Sequence, residues 1–272
     1  MQMVRHANVE LSTLALGPQD GAVTVLLHGL VSGNMAAWYS TLALPLSANR
    51  RVVLYDLRGH GSSSIPSQGF DLDHHVNDLC VVLEQRVGTE AQVDIVGHSL
   101  GALIGLHFAL RHPERVRSLV LVDAPMPAKF WVAPSLLAAH SRAGVAAWID
   151  AQPHLAQGAT GRRRERLRHR VETLLFDTTL VSDVLAMEGA CTHAMAAFSA
   201  PVLLIYGRQS PCLIAGYELS QALPTAQLRL VDAGHDVPIE APLALRLEVE
   251  EFYSALTQSQ MPVPGLGLQP WM

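Results

Sequence analysis

The chain has 272 residues, 49% of them hydrophobic, and a formal net charge of −5. This length and apolar content suffice for one large α/β domain with an insertion, or for two small domains. The acidic balance argues against a nucleic-acid-binding protein.

The cysteines and the N-terminus bear on the cellular compartment. Cys80, Cys191 and Cys212 are odd in number and far apart, which fits reduced thiols better than a disulfide framework. No pair of them has metal-ligand spacing. The first ten residues lack the apolar core of a signal peptide, and no apolar run approaches the length of a membrane span. We therefore expect a cytoplasmic protein without a membrane span.

Short β-rich runs alternate with helical stretches along most of the chain. The first run, Val9–Leu16, is predicted to be an antiparallel edge strand. Six further runs are predicted to be strands, at residues 22–27, 51–55, 93–96, 118–122, 202–206 and 227–231. This alternation predicts an α/β fold with a mostly parallel, doubly wound sheet covered by helices on both faces.

The alternation breaks once, between residues 125 and 199, where several helices are predicted instead. We therefore predict an α/β core of residues 1–124 and 200–258, a helical lid of residues 125–199 inserted before the penultimate strand, and a C-terminal tail of residues 259–272 rich in Pro and Gly. Apolar lid side chains are expected to line an acyl pocket, or equally to form the lid's own core. The pocket candidates are Phe130, Trp131 and Trp148.

Six arginines crowd residues 161–170 of the predicted lid. The preferred interpretation is a helix face exposed to solvent. The alternative is a binding surface for an anionic substrate, such as an acyl group on a carrier protein or on coenzyme A.

The sequence Gly-His-Ser-Leu-Gly at residues 97–101 lies between a predicted strand and a predicted helix. In this context a Gly-x-Ser-x-Gly string predicts a tight turn that exposes the serine hydroxyl at the end of the sheet, above a helix N-terminus. Ser99 is therefore the candidate nucleophile rather than a helix-capping serine.

A serine nucleophile needs a base, a group that orients the base, and donors for the oxyanion. His235 stands on a loop directly after the predicted strand 227–231, and a neutral imidazole can accept the serine proton. His98, although beside Ser99, is expected to point elsewhere. The predicted oxyanion donors are the backbone amides of Leu30 and Leu100, with Gly29 allowing close approach.

Four strings together give the chain its resemblance to a known superfamily: residues 28–29, 56–63, 97–101 and 234–242. They resemble the α/β-hydrolase fold superfamily, of the lidded type that includes small esterases, meta-cleavage-product hydrolases and haloperoxidase-like enzymes. The resemblance covers about residues 8–256, apart from the details of the lid. It implies structural roles for the turn at residues 56–61 and for Glu240.

The chain departs from this family at the orienting acid. The resemblance leads us to expect Gly-x-x-Asp after the penultimate strand, but residues 207–210 read Gly-Arg-Gln-Ser. Asp123 follows the predicted strand 118–122, at the strand end where some haloalkane dehalogenases carry their acid, and is the preferred candidate. The alternatives are Asp232 or Asp236, or a diad supported by water or by Ser210.

These residues predict a serine hydrolase that cleaves a carboxylic ester or thioester of a small to medium apolar acyl substrate through an acyl-enzyme on Ser99. No metal or organic cofactor is expected. A carbon–carbon bond hydrolase of the meta-cleavage type is the nearest alternative. The missing Gly-x-x-Asp acid also keeps open a non-catalytic ligand-binding homologue.

Overall fold

The computed structural model describes residues 1–30, 33–126, 141–151 and 161–259. Eight strands form one sheet in the order β1-β2-β4-β3-β5-β6-β7-β8. Only the β1–β2 and β2–β4 pairs are antiparallel. The strands are β1 (Gln2–His6), β2 (Val9–Leu16), β3 (Ala22–Leu27), β4 (Arg50–Tyr55), β5 (Val93–His98), β6 (Val116–Val122), β7 (Val202–Gly207) and β8 (Ala226–Val231).

Helices follow the strands in the way a doubly wound sheet requires. In the described part of the chain they are α1 (Ala36–Trp38), α2 (Leu44–Leu46), α3 (Leu72–Arg86), α4 (Leu100–Arg111), α5 (Arg142–Asp150), α6 (Gly161–Phe176), α7 (Leu180–Leu185), α8 (Thr192–Ala197), α9 (Leu213–Ala222), α10 (Val237–Glu240) and α11 (Pro242–Ser259). A π-helical turn, Tyr39–Ala43, joins α1 to α2, and a short 3-10 turn, Pro113–Arg115, follows α4. The α/β architecture predicted from the sequence is confirmed.

The edge of the sheet differs from the prediction. Val9–Leu16 is antiparallel, as expected, but it is not the edge strand, because β1 pairs along its outer side. Ala7 sits between the two strands with a φ of 52°, so a two-residue turn returns the chain directly from β1 into β2. Val4 is the one buried residue of β1.

The central strands are buried on both faces, and the sheet separates two apolar clusters. On one face, strand side chains pack with α3, α4, α9 and the helices between β6 and β7. On the other face they pack with residues 36–46 and α11, where Trp38 is fully buried. Burial on both faces explains the near-continuous apolar runs of β3, β4 and β7. The rigid sheet fixes the positions of the loops at its carboxyl ends.

Between β6 and β7, residues 141–151 and 161–199 form helices and no strand. Val145 and Ile149 of α5, with Val171 and Leu174 of α6, join the same apolar cluster as the strand side chains. The helical character agrees with the predicted lid, although the division into core 1–124 and 200–258, lid 125–199 and tail 259–272 stays a prediction. Phe130, Trp131 and residues 260–272 lie outside the described residues.

None of the helices in the described ranges is both long enough and apolar enough to cross a membrane.

Candidate active site

Ser99 occupies the single residue between β5 and α4, with φ 53° and ψ −117°. A non-glycine residue with positive φ is strained, and such strain characterises the turn that presents a nucleophile. The flanking glycines are required by packing. A Cβ atom on Gly97 would overlap the carbonyl oxygen of Gly101, and one on Gly101 would overlap that of Leu27. The Ser99 side chain is therefore held at the carboxyl edge of the sheet.

His235 lies on the loop between β8 and α10, and its Nε2 is 3.0 Å from the Oγ of Ser99. Glu240 fixes this loop, because its carboxylate accepts hydrogen bonds from the backbone amides of Gly234 at 2.8 Å and Asp236 at 3.1 Å. The structural role that the resemblance implies for Glu240 thus corresponds to a clamp on the histidine loop.

Asp123 directly follows β6, and its Oδ2 is 2.6 Å from the Nδ1 of His235. The carboxylate is completely buried. Its Oδ1 accepts a hydrogen bond from the amide of Gly207 at 2.9 Å, and its Oδ2 accepts one from the hydroxyl of Ser210. A buried carboxylate requires hydrogen-bond donors, and the amide of Gly207 and the hydroxyl of Ser210 supply them to Asp123.

The alternative acids make other contacts than Asp123 does. Asp232 is exposed and accepts a hydrogen bond from the side chain of Gln209 at 2.8 Å. The backbone amide of Asp236 donates to the carboxylate of Glu240, and its carbonyl accepts hydrogen bonds from the amides of Ile239 and Glu240. Ser210, at the position where the family pattern places the acid, contacts Asp123 instead. The three predicted residues Ser99, His235 and Asp123 therefore converge in one line of hydrogen bonds.

The two contacts of the His235 ring are compatible with a neutral tautomer that can act as a base. When the hydroxyl of Ser99 donates to Nε2, the neutral ring must carry its proton on Nδ1, from which it donates to Asp123. This is the tautomer that a general base requires, because its free lone pair faces the nucleophile.

The predicted oxyanion donors lie at the same edge of the sheet. Leu100 is the first residue of α4, and amides in the first turn of a helix have no intrahelical acceptor. Leu30 follows Gly29 in the loop after β3. A Cβ atom on Gly29 would stand 3.4 Å from the Cβ of Ser99, so this loop passes directly beside Ser99. Residues 31 and 32 lie outside the described residues, and the oxyanion role of both amides stays a prediction.

Two buried side chains brace the loop that carries Leu30. His28 accepts a hydrogen bond from the amide of Leu57 through Nε2 at 2.9 Å, and donates to the carbonyl of Gly29 through Nδ1 at 2.8 Å. The carboxylate of Asp56 accepts a hydrogen bond from the amide of Met35 at 2.8 Å. The turn that begins at Asp56 therefore supports the site structurally, as the resemblance implies.

Comparison with known proteins places the chain in a family. A sequence profile of the alpha/beta hydrolase fold matches residues 23–242. The chain belongs to the α/β-hydrolase fold family. It is 30% identical over 241 residues to a protein of Agrobacterium fabrum strain C58 named as a candidate carbamate hydrolase RutD, covering 81% of this chain and 89% of that protein.

The chain is also similar to a second relative in sequence and to a solved α/β structure. The chain is 35% identical over 147 residues to a protein of Variovorax paradoxus strain S110 with the same name, and this match covers 50% of the chain and about half, 52%, of that relative's length. The crystal structure of a candidate lipase from Acinetobacter baumannii AYE superposes with a TM-score of 0.80 at 19% identity, over 95% of this chain and 92% of that one. At that identity the superposition shows the fold alone.

Three residues of this α/β-hydrolase site were not predicted in the role that they occupy. His98 does not point away, because its Nε2 donates to the carbonyl of His235 at 2.9 Å and the two rings lie 5.1 Å apart. Burial lowers the pKa of His98 to about 4, so its ring is neutral beside the histidine loop. Ser210 supports the acid, and the buried Cys212 has its Sγ 3.8 Å from the Nδ1 of His235. The departure from Gly-x-x-Asp at residue 210 is the signal that leads to Ser210.

Trp148 lies on α5, half-buried, and packs against the main apolar cluster. This contact agrees with a contribution to the lid's own core. Its place in an acyl pocket stays a prediction, as do those of Phe130 and Trp131 outside the described residues.

Replacing Ser210 by alanine is expected to lower kcat about tenfold to 100-fold. The variant removes one of the hydrogen bonds that hold the Asp123 carboxylate, and a hydrogen bond to a charged group contributes about 1.5–3 kcal/mol. Ser220→Ala on α9, whose hydroxyl bonds its own helix, is the matched control and should keep the parent rate. Steady-state rates across pH test this, and an unchanged pH–rate profile in Ser210→Ala would contradict the positioning role.

Acid is expected to destabilise this α/β-hydrolase through its buried histidines. Burial lowers the pKa of His28 to about 4 and that of His60 to about 3, from an ordinary value of 6.5. Below pH 6.5 these histidines bind protons in the unfolded chain but stay neutral in the folded chain. The free energy of unfolding that they contribute above pH 6.5 is therefore lost as pH falls toward 4. Each histidine contributes up to about 1.4 kcal/mol per pH unit.

Urea unfolding between pH 7 and pH 4 measures this slope. His28→Gln keeps a donor and an acceptor at the site but cannot titrate, so its slope should be shallower than that of the parent. The exposed His169→Gln is the control and should leave the slope unchanged. Equal slopes in the parent and in His28→Gln would remove His28 from the acid sensitivity.

Proposed function

We propose that this protein is a serine hydrolase that forms an acyl-enzyme on Ser99. The observation that carries the proposal is the unbroken chain of contacts from Ser99 Oγ through His235 to Asp123, at 3.0 Å and 2.6 Å. A nucleophile, a base in hydrogen-bond reach and a group orienting the base are what acyl transfer requires. The convergence also weighs against a non-catalytic binding protein.

In the proposed reaction, the Oγ of Ser99 attacks the carbonyl carbon of the substrate while His235 takes the hydroxyl proton. The ionised Asp123 stabilises the imidazolium that forms and keeps its Nδ1–H pointed inward. The oxyanion is assigned to the backbone amides of Leu30 and Leu100. His235 then protonates the leaving group, and water releases the acyl group by the same steps in reverse.

The proposed substrate is a carboxylic ester or thioester with a small to medium apolar acyl part. Support for an apolar acyl part comes from the apolar side chains in the sequence of the predicted lid, residues 125–199. An acyl carrier or coenzyme A as the leaving group is the further proposal based on the arginines of α6. Arg164 and Arg168 pair with acidic side chains of the chain itself, which leaves the exposed Arg162 and Arg166 as candidate contacts.

A carbamate is the second candidate substrate, and one observation favours it. The relative of Agrobacterium fabrum, named for carbamate hydrolysis, is 30% identical over 89% of its own length. The same serine attack applies, because a carbamate also presents a carbonyl carbon with a leaving group. The proposals differ only in the substrate, so one assay separates them.

Labelling with a fluorophosphonate probe tests the proposed nucleophile directly. We expect stoichiometric modification of Ser99, located by peptide mass spectrometry, in the parent and none in His235→Ala. The purified protein is then tested on aryl esters, acyl thioesters, simple carbamates and a vinylogous diketone acid. If Ser99-dependent product release is fastest with the vinylogous diketone acid, carbon–carbon bond cleavage replaces ester hydrolysis as the proposed reaction. Absence of probe labelling in the parent would end the hydrolase proposal.

A further inference from the structure

A buried thiol lies beside the histidine of the site and takes no part in the proposed reaction. Cys212 directly precedes α9 and is completely buried, with its Sγ 3.8 Å from the Nδ1 of His235. The Oδ2 of Asp123 lies 2.6 Å from the same nitrogen. One sulfur, one nitrogen and one oxygen donor all lie within 4.8 Å of one another. Among the described residues this is the one set of three such donors.

The mixture of donors identifies the kind of cation that would fit. A thiolate, an imidazole and a carboxylate together suit a borderline-soft divalent metal such as Zn²⁺, whereas Mg²⁺ and Ca²⁺ require oxygen ligands. Zinc bonds of about 2.0–2.3 Å place tetrahedral ligand atoms about 3.3–3.6 Å apart. The separations of 2.6 Å and 3.8 Å bracket this range. Side-chain shifts of less than about 1 Å would therefore complete three coordination positions.

We propose that Asp123, Cys212 and His235 form an inhibitory site for a thiophilic divalent cation, with Zn²⁺ as its occupant. Water would supply the remaining ligand of the cation. The cation is bound in place of the hydrogen bond between His235 and Asp123, so it competes with the catalytic arrangement rather than supporting it.

Proton balance explains why binding would inhibit. The resting ring of His235 carries its proton on Nδ1, and a cation can bind that nitrogen only through a free lone pair. The ring proton therefore moves to Nε2, which then faces Ser99 as a donor and cannot accept the hydroxyl proton. The ring stays neutral, and the thiol proton of Cys212 leaves to solvent, so one proton is released for each cation bound.

The chain offers a matched control for this site. Cys80 also has its Sγ 3.8 Å from a histidine nitrogen, the Nε2 of His112. Cys80 lies on α3, and His112 directly follows α4. This pair is therefore away from the carboxyl edge of the sheet, where Ser99 stands. A cation bound there would not touch the proposed reaction, so Cys80→Ala should leave inhibition unchanged.

Cadmium binding tests the site independently of any activity. The chain has three cysteines, so a Cys80→Ala, Cys191→Ala double variant keeps Cys212 as its one thiol. Titration of this chelator-treated variant with Cd²⁺ should develop the ultraviolet thiolate-to-metal band with one equivalent bound. The further Cys212→Ala or Cys212→Ser substitution should abolish the band. A double variant without the band, or a triple variant that keeps it, would overturn the proposal.

The inhibitory effect rests on the proposed function and needs its own readout. Zn²⁺ should block fluorophosphonate labelling of the parent, and EDTA should restore it. The labelling rate of each variant is expressed relative to its own rate without metal. On this scale, Cys212→Ala and Cys212→Ser should each raise the half-inhibiting Zn²⁺ concentration at least about 100-fold over that of the parent. Equal sensitivity of these variants and the parent would overturn the inhibitory role. Failure of the proposed function would appear differently, as no labelling of any metal-free variant, while cadmium binding persists.

Discussion

Ser99→Ala is expected to lower kcat by about 10⁶-fold, the loss seen when a serine hydrolase loses its nucleophile. The variant removes the atom that forms the acyl-enzyme, and no neighbouring hydroxyl can replace it at the strained position between β5 and α4. Alanine fits the turn about as well as serine, so the fold should be kept. Rates on the best ester of the substrate panel measure the effect.

The control for Ser99→Ala is Ser254→Ala, an exposed serine on α11 that bonds the carbonyl of Glu250. It should keep the parent rate and the parent melting temperature. Ester hydrolysis by Ser99→Ala within tenfold of the parent would show that another group performs the attack.

Asp123→Asn is expected to lower kcat by about 10⁴-fold while the fold is retained. The asparagine amide can turn an N–H toward His235, which favours the wrong tautomer and removes the negative charge opposite the imidazolium. Asp232→Asn is the matched control, since this carboxylate stands near the same loop but bonds Gln209. Circular dichroism and kcat measured together test the prediction, and an unchanged kcat in folded Asp123→Asn would remove Asp123 from the mechanism.

A carboxylate at residue 210 should partly rescue Asp123→Asn. Ser210 contacts the Oδ2 of Asp123, the atom that faces His235, so an acid placed there comes close to the same nitrogen. We expect Asp123→Asn combined with Ser210→Asp to recover at least about 10²-fold in kcat over Asp123→Asn alone. No recovery in a folded double variant would show that the acid must stand at the end of β6.

Much of the fold and of the site could be predicted from the sequence for a physical reason. Strands buried on both faces leave continuous apolar runs, and parallel strands bring their carboxyl ends to one edge. Ser99 and Asp123 stand at the ends of such runs, and His235 lies on the loop after the parallel strand β8, so topology brings all three to one edge of the sheet. The edge strand β1 was not predicted because a five-residue strand with one buried side chain leaves only a weak pattern.

The contacts around the triad could not be predicted in the same way. His98, Ser210 and Cys212 reach their partners through the paths of loops, which depend on dihedral angles that no periodicity encodes. The positive φ of Asp123, 49°, is one such angle. The absence of the acid from residue 210 indicates that another acid is needed, but its contact with His235 can be seen only in the structure.

The proposed nucleophile and the proposed acid stand at the ends of the adjacent strands β5 and β6, which backbone hydrogen bonds tie together. The amide of Ser99 donates to the carbonyl of Val122 at 3.0 Å, and that of Asp123 donates to Ile205 at 2.8 Å. The proposed base, His235, stands on a loop that is held by a side chain. We therefore expect warming to displace His235 before it displaces Ser99 or Asp123, so that kcat falls at temperatures at which the sheet is still folded.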